Sequence, residues 1–216
     1  MDLSNITTQV NTMLEMQNDI NCKINSEWAL VGRPWYRCIW IECAELMDHA
    51  GYKWWKASEP EMSQVKLEIV DIWHFGLSIL IENNVIPSDL LSTIRDHVHN
   101  GIYNSEIPKM SVLDCAERFA QSTLDHSQFQ LFDFIDLMIS AGMSFNELYT
   151  MYIGKNVLNT FRQDNGYKDG TYEKMWDGQE DNVLLVELSE NLHTDHSDYP
   201  LELYKALQLR YNSCVG

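Results

Sequence analysis

The stretch VKLEIVDIWHFGLSIL at 65–80 is apolar on nearly every side, and a helix of that kind has to be covered by other elements. It nevertheless carries Glu68 and Asp71, which stand three residues apart and so share one helical face. A charge removed from water without a partner is costly. Any fold this chain adopts must therefore surround the segment and also neutralise its acids. Helical spacing recurs along most of the sequence. The strongest segments run from about Trp35 to Ala50, Glu61 to Asn83 and Ser144 to Arg162, and weaker ones cover roughly 4–24, 88–99, 129–141, 180–193 and 199–212. Strand-like alternation is scarce. Ser144 with Glu147 reads as a capping box, Ser111 with Asp114 as a weaker one, and Gly51 and Gly142 as stop signals. Pro87, Asn100-Gly101, Pro108 and the glycine-rich stretch 165–178 mark loops. The expectation is an all-α, compact multi-helix bundle with no significant β-sheet, formed as a single domain over 1–216.

A second feature is repetition. ECAELM at 42–47 returns as DCAERF at 114–119, and each is followed by an apolar helical segment, LEIVDIWHF in the first case and LFDFIDLMI in the second. The unit is a helix pair, repeated over about 35–83 and about 109–141. Acids recur at matching places: Glu42, Glu45, Glu68 and Asp71 in the first copy, Asp114, Glu117, Asp133 and Asp136 in the second. If the first two helices pack together, their four carboxylates can converge. Compensation would come from Arg37 or Lys66, from protonation, or from a hard cation such as magnesium, which combines a few carboxylates with water and substrate phosphate. Asp71-x-x-His74 and Glu190-x-x-His193 also match the spacing used in di-iron bundles. The second of these lies in the polar stretch ELSENLHTDHSD, which argues against that reading.

With 15 basic against 32 acidic residues the formal net charge is −17, which repels a polyanionic duplex and argues against polymeric nucleic acid as a partner. A small anion carried in with divalent cations is still compatible, because the metal reverses the local sign. No apolar run is long enough to cross a bilayer, and MDLSNITTQVNTMLEMQ lacks the features of a signal peptide. Five cysteines without paired short spacing read as reduced thiols, so the expected location is cytoplasmic. GYKWWKA at 51–57 sets two tryptophans between lysines, suited to stacking on a planar group beside phosphate, although a tryptophan pair at a helix end is more often core. Residues 154–176 hold Lys155, Arg162, Lys168 and Lys174 among amides, Tyr167 and glycines, a concentration of cations that suggests an anion site. There is no strand-borne phosphate loop of the Gly-x-x-x-x-Gly-Lys type. These parts together suit a nucleoside triphosphate with magnesium.

Glu42-x-x-Glu45 followed by Glu68-x-x-Asp71, EIVDIWHF at 68–75, YKWWK at 52–56 and KNVLNTFRQDNGYKDGTY at 155–172 resemble the all-α, dimeric dUTPase family, within the wider group of helical nucleotide pyrophosphohydrolases that includes phage dCTPases. The resemblance covers most of the chain. It implies Mg2+, with more than one ion per site, on Glu42, Glu45, Glu68 and Asp71, with Glu45 and Glu42 as the catalytic acids. It implies base or sugar contacts from Gln17, Asn21, Trp54, His74, Phe75 and Asn156, with Phe75 excluding a ribose 2′-hydroxyl. Phosphate contacts fall to Lys56, Arg162, Tyr167, Lys168 and Lys174. The second helix pair would be a degenerate copy. The implied activity is hydrolysis of dUTP, with dUDP as a further substrate, to dUMP and pyrophosphate or phosphate, by a homodimer with no membrane partner. The alternatives are a dCTP pyrophosphatase of the same family and a nucleotide- or protein-binding protein without turnover.

Overall fold

The computed structural model describes residues 3–57, 59–85, 88–94, 110–192 and 198–215. Helix α1 spans Leu3–Ile24, and a 3-10 turn at Trp28–Leu30 leads into α2 (Trp35–His49) and α3 (Met62–Glu82). Then follow α4 (Val112–His126), α5 (Leu131–Ser140), α6 (Phe145–Asp164), α7 (Asp181–Glu190) and α8 (Tyr199–Val215). Apart from α4, which only the repeat and the Ser111 cap had indicated, these helices begin and end within three residues of the segments that periodicity picks out. Residues 88–94 are helical as well; the rest of the 88–99 segment, Pro87, Asn100-Gly101, Pro108 and His193 lie outside the described residues. No described helix is long and apolar enough to cross a membrane.

Local signals explain most boundaries. Ser111 accepts the Asp114 N–H while the Asp114 carboxylate accepts the Ser111 N–H, a complete capping box at the start of α4. At α6 the Ser144 hydroxyl accepts the Glu147 N–H, and the Glu147 carboxylate instead receives Lys66. The pattern that looked weaker in sequence is thus the reciprocal one. Gly51 and Gly142 follow α2 and α5 at φ of 76° and 66°, left-handed conformations that glycine adopts without strain. One departure from an all-loop 165–178 is a short antiparallel ribbon, β1 (Met175–Trp176) with β2 (Gln179–Glu180). Its turn is Asp177-Gly178, both at positive φ, the dipeptide that two-residue hairpins prefer.

Helix α3 packs against α1, α2, α5 and α6, and Val65, Ile69, Val70, Ile72, Trp73 and Leu77 are fully buried. Its apolar circumference is therefore met on all sides, as the sequence required. Trp73 stacks on Phe134 at 5.1 Å and meets Phe129 edge-on at 5.8 Å, which ties α3 to α5 and its leading turn. Burying one such ring removes about 200 Å² from water, about 5 kcal/mol of transfer free energy. Gly76 lies under the same cluster: a Cβ there would come within 2.7 Å of the Phe129 ring. Packing thus requires the residue that intrinsically weakens a helix.

Helices α4 and α5 also pack on each other, and Asp114, Asp133 and Asp136 are already satisfied from within the chain. Arg118 sets Nε 3.1 Å from Asp133 Oδ1 and Nη2 2.5 Å from Asp136 Oδ2. The Ser122 hydroxyl donates to Asp133 at 2.6 Å, Asp114 caps its own helix, and Glu117 is exposed. In this half of the molecule a guanidinium stands among the carboxylates.

Candidate active site

Packing of α2 on α3 brings Glu42, Glu68 and Asp71 together, with one carboxylate oxygen from each within 4.8 Å of the others. Glu68 is only 4% exposed. Glu45, one turn along α2 from Glu42, is exposed and stands outside that group of three. Burial, the Asp71 charge and a hydrogen bond with Glu68 push the Glu42 carboxyl up to about 9. Burial and Asp71 raise Glu68 to about 7, partly offset by Lys155 and by the bond with Glu42. Like charges crowded into a poorly hydrated place hold on to a proton, so without a cation Glu42 is a protonated donor to Glu68 at neutral pH.

The compensating lysine is Lys155 on α6. Its side chain is 2% exposed, and the ammonium sits 2.7 Å from Asp71 Oδ2. It also donates to Asn182 Oδ1 at 2.7 Å. Neither Arg37 nor Lys66 takes this part: Lys66 pairs with Glu147 at 2.7 Å, and the Arg37 guanidinium lies 5.7 Å from the Tyr36 ring centre. Three carboxylates facing one ammonium leave a site with oxygen donors only and a surplus of negative charge, the donor set of a hard cation.

Beside the trio lies a buried polar network. Gln17 (4% exposed) donates to Asn21 Oδ1 and Ser78 Oγ, both at 3.1 Å, and Asn21 (6%) donates to Ser78 at 2.9 Å. The Gln17 carbonyl accepts from the Tyr152 hydroxyl at 3.1 Å and meets His74 Nδ1 at 2.7 Å. A carbonyl cannot donate, so that ring nitrogen carries the hydrogen. Burial lowers His74 to about 4, leaving the ring neutral; its Nε2 is then a buried acceptor without a partner. Tyr152 stacks on the imidazole at 4.2 Å, and Asn156 donates to the Met16 carbonyl at 3.4 Å. Phe75 stacks on Trp35 at 6.0 Å, and Trp28 meets Trp35 edge-on. Asn18, the amide beside Gln17, is exposed and accepts from the Trp28 indole.

The cationic residues fall into two groups. Arg162 is 8% exposed and grips Asp181 with two bonds of 2.8 and 2.7 Å, while the Tyr172 hydroxyl donates to the same carboxylate at 2.8 Å. Burial alone would raise Asp181; the Arg162 fork outweighs it and holds the carboxyl below its usual range. Tyr167 lies 5.8 Å under the Arg162 guanidinium. Lys56, Lys168 and Lys174 are exposed, with Lys168 donating to the Ile24 carbonyl at 2.8 Å. Trp54 and Trp55 are 90% and 60% exposed, so the core alternative for that pair does not hold. Sequence reasoning did not assign Asn182, Asp181, Trp35, Tyr152 or Ser78 to the site. Lys155, counted only among the cations, offered the clearest signal, a charge inside the apolar run of α6.

A family model described as dUTPase matches residues 9–167, about three quarters of the chain, and takes in the trio, Lys155, Asn156, Arg162 and Tyr167. No curated protein matches the chain by sequence. With a largely helical fold and the acidic trio in the matched region, the chain belongs to the dUTPase family.

Proposed function

We propose that this chain hydrolyses dUTP, and dUDP as a second substrate, to dUMP and pyrophosphate or phosphate, using magnesium. The observation that carries the reading is the convergence of Glu42, Glu68 and Asp71, with oxygens within 4.8 Å, in a chain of the dUTPase family. A proton held by Glu42 up to about 9 is further support, since a divalent cation relieves the same crowding. Glu42, Glu68 and Asp71, joined by Glu45, would hold more than one Mg2+. Bound magnesium neutralises the triphosphate and makes a water easier to deprotonate. Glu45, exposed beside the trio, would take the proton of the attacking water, and in-line displacement at the α-phosphorus would break its bond to the bridging oxygen, releasing pyrophosphate from dUTP or phosphate from dUDP.

The remaining residues bind and orient. Gln17, Asn21, His74 and Asn156 form the polar lining for base and sugar, and the unpartnered His74 Nε2 accepts an N–H or O–H of the ligand. Phe75, backed by Trp35, closes off the space of a 2′-hydroxyl, while the exposed Trp54 stacks on the nucleoside. Lys56, Arg162, Tyr167, Lys168 and Lys174 meet the phosphates and stabilise the charge that develops there. We place the whole chain in one domain of a cytoplasmic homodimer, with α4 and α5 as a copy of the α2 and α3 unit that does not bind metal. The test is pyrophosphate release from dUTP, dCTP, dTTP and UTP with magnesium and with excess chelator. Magnesium-dependent release selective for dUTP is expected. Preference for dCTP would move the assignment to the neighbouring activity, and no release from any would favour a binding protein.

A further inference from the structure

The near ends of α2 and α3 are joined by one side chain. His49, the last residue of α2, places Nδ1 3.1 Å from Glu61 Oε2 and Nε2 3.7 Å from Glu68 Oε1. The His49 carbonyl also accepts the Glu61 N–H at 2.9 Å, so the link between these positions is double. Between them runs the loop that carries Trp54 and Lys56. The three side chains step inward from solvent: Glu61 is exposed, His49 is half-buried and Glu68 is buried. Glu61 is the N-cap residue of α3 but makes no side-chain capping bond, which leaves its carboxylate for the imidazole.

We propose that His49 is a positioning residue for the cation site: it limits the rotation of the Glu68 carboxylate and is itself held by Glu61. The assignment rests on reading the trio as a metal site. Outer partners of this kind orient the ligands of a metal, and their loss lowers affinity about tenfold to a hundredfold. A contact between two solvent-exposed polar side chains contributes little to folding. The His49 and Glu61 contact should therefore register in cation affinity far more than in stability.

The experiment titrates Mn2+ into the metal-free protein, follows free Mn2+ by electron paramagnetic resonance, and records thermal unfolding in chelator. His49→Ala should weaken Mn2+ binding about tenfold while its unfolding midpoint stays close to that of the parent. Glu61→Ala should weaken binding less, Glu61→Gln, which keeps an acceptor, should match the parent, and the double alanine variant should be no worse than His49→Ala. Affinity of His49→Ala within about twofold of the parent, or losses that add in the double variant, would overturn the proposal. If His49→Ala does not fold, equal affinity of Glu61→Ala and Glu61→Gln overturns it instead. A parent protein that does not bind Mn2+ would remove both the metal reading and this inference, whereas a binding parent with an unaffected His49→Ala would remove the inference alone.

Discussion

Replacing Glu42 by Gln should stabilise the metal-free protein at neutral pH. In the folded chain the Glu42 carboxyl is pushed up to about 9 from an ordinary value of 4.5, through burial, Asp71 and the bond with Glu68. Between those values the native state binds a proton that the unfolded state has lost, so stability falls as pH rises through the window. At pH 7, holding that proton costs about 3 kcal/mol at 1.36 kcal/mol per pH unit. Glutamine keeps a donor for Glu68 without the titration. At about 2–4 °C per kcal/mol for a chain of this size, Glu42→Gln should unfold about 8 °C higher than the parent in chelator at pH 7. At pH 4.5 the two should converge, and with magnesium the order should narrow or reverse, because the variant loses a ligand. Differential scanning calorimetry at pH 4.5, 6, 7 and 8 separates this contribution from the general repulsion of a chain of net charge −17, which both proteins share. A constant difference across the series, or none at pH 7, would refute the argument.

Two further substitutions probe the charges that the chain neutralises by itself. Asp181→Ala leaves the Arg162 guanidinium buried without its main partner and should cost about 3–5 kcal/mol in urea unfolding; a loss below about 1 kcal/mol would show that Arg162 finds another arrangement. Asp133→Asn should leave turnover of dUTP unchanged and cost about 1 kcal/mol through the weakened Arg118 pair and Ser122 bond. A large loss of turnover with a normal melt would give α4 and α5 a catalytic part.

The helices were legible because their signals are long. Helix α3 announces itself through a dozen buried positions at helical spacing, and its two acids, once buried, already asked for a counter-charge. The ribbon at 175–180 was not legible in the same way, since two-residue strands carry no alternation and only Asp177-Gly178 speaks for them. The carboxylate face shows the limit of spacing arguments. Glu42 and Glu45 share a helical face in sequence, yet the packing of α2 on α3 half-buries one against Glu68 and leaves the other in solvent. Lys155 belongs to a third kind. Its flanks, Tyr152, Ile153, Val157 and Leu158, are buried like those of Glu68, so the two lonely charges on different helices could have been matched by the argument that found each acid costly.

Arg118 has a consequence for how the molecule responds to its medium. A cation covalently built into α4 never dissociates, so Asp133 and Asp136 keep their partner at any metal concentration. The trio on α2 and α3 has Lys155 and a shared proton in place of a full complement of positive charge. With the proposed magnesium on the trio, chelation should quicken amide hydrogen exchange along α2 and α3 more than along α4 and α5; equal changes in both pairs would refute this. Arg118 makes one helix pair a permanent keel, and the proposed cation would give the other its stiffness.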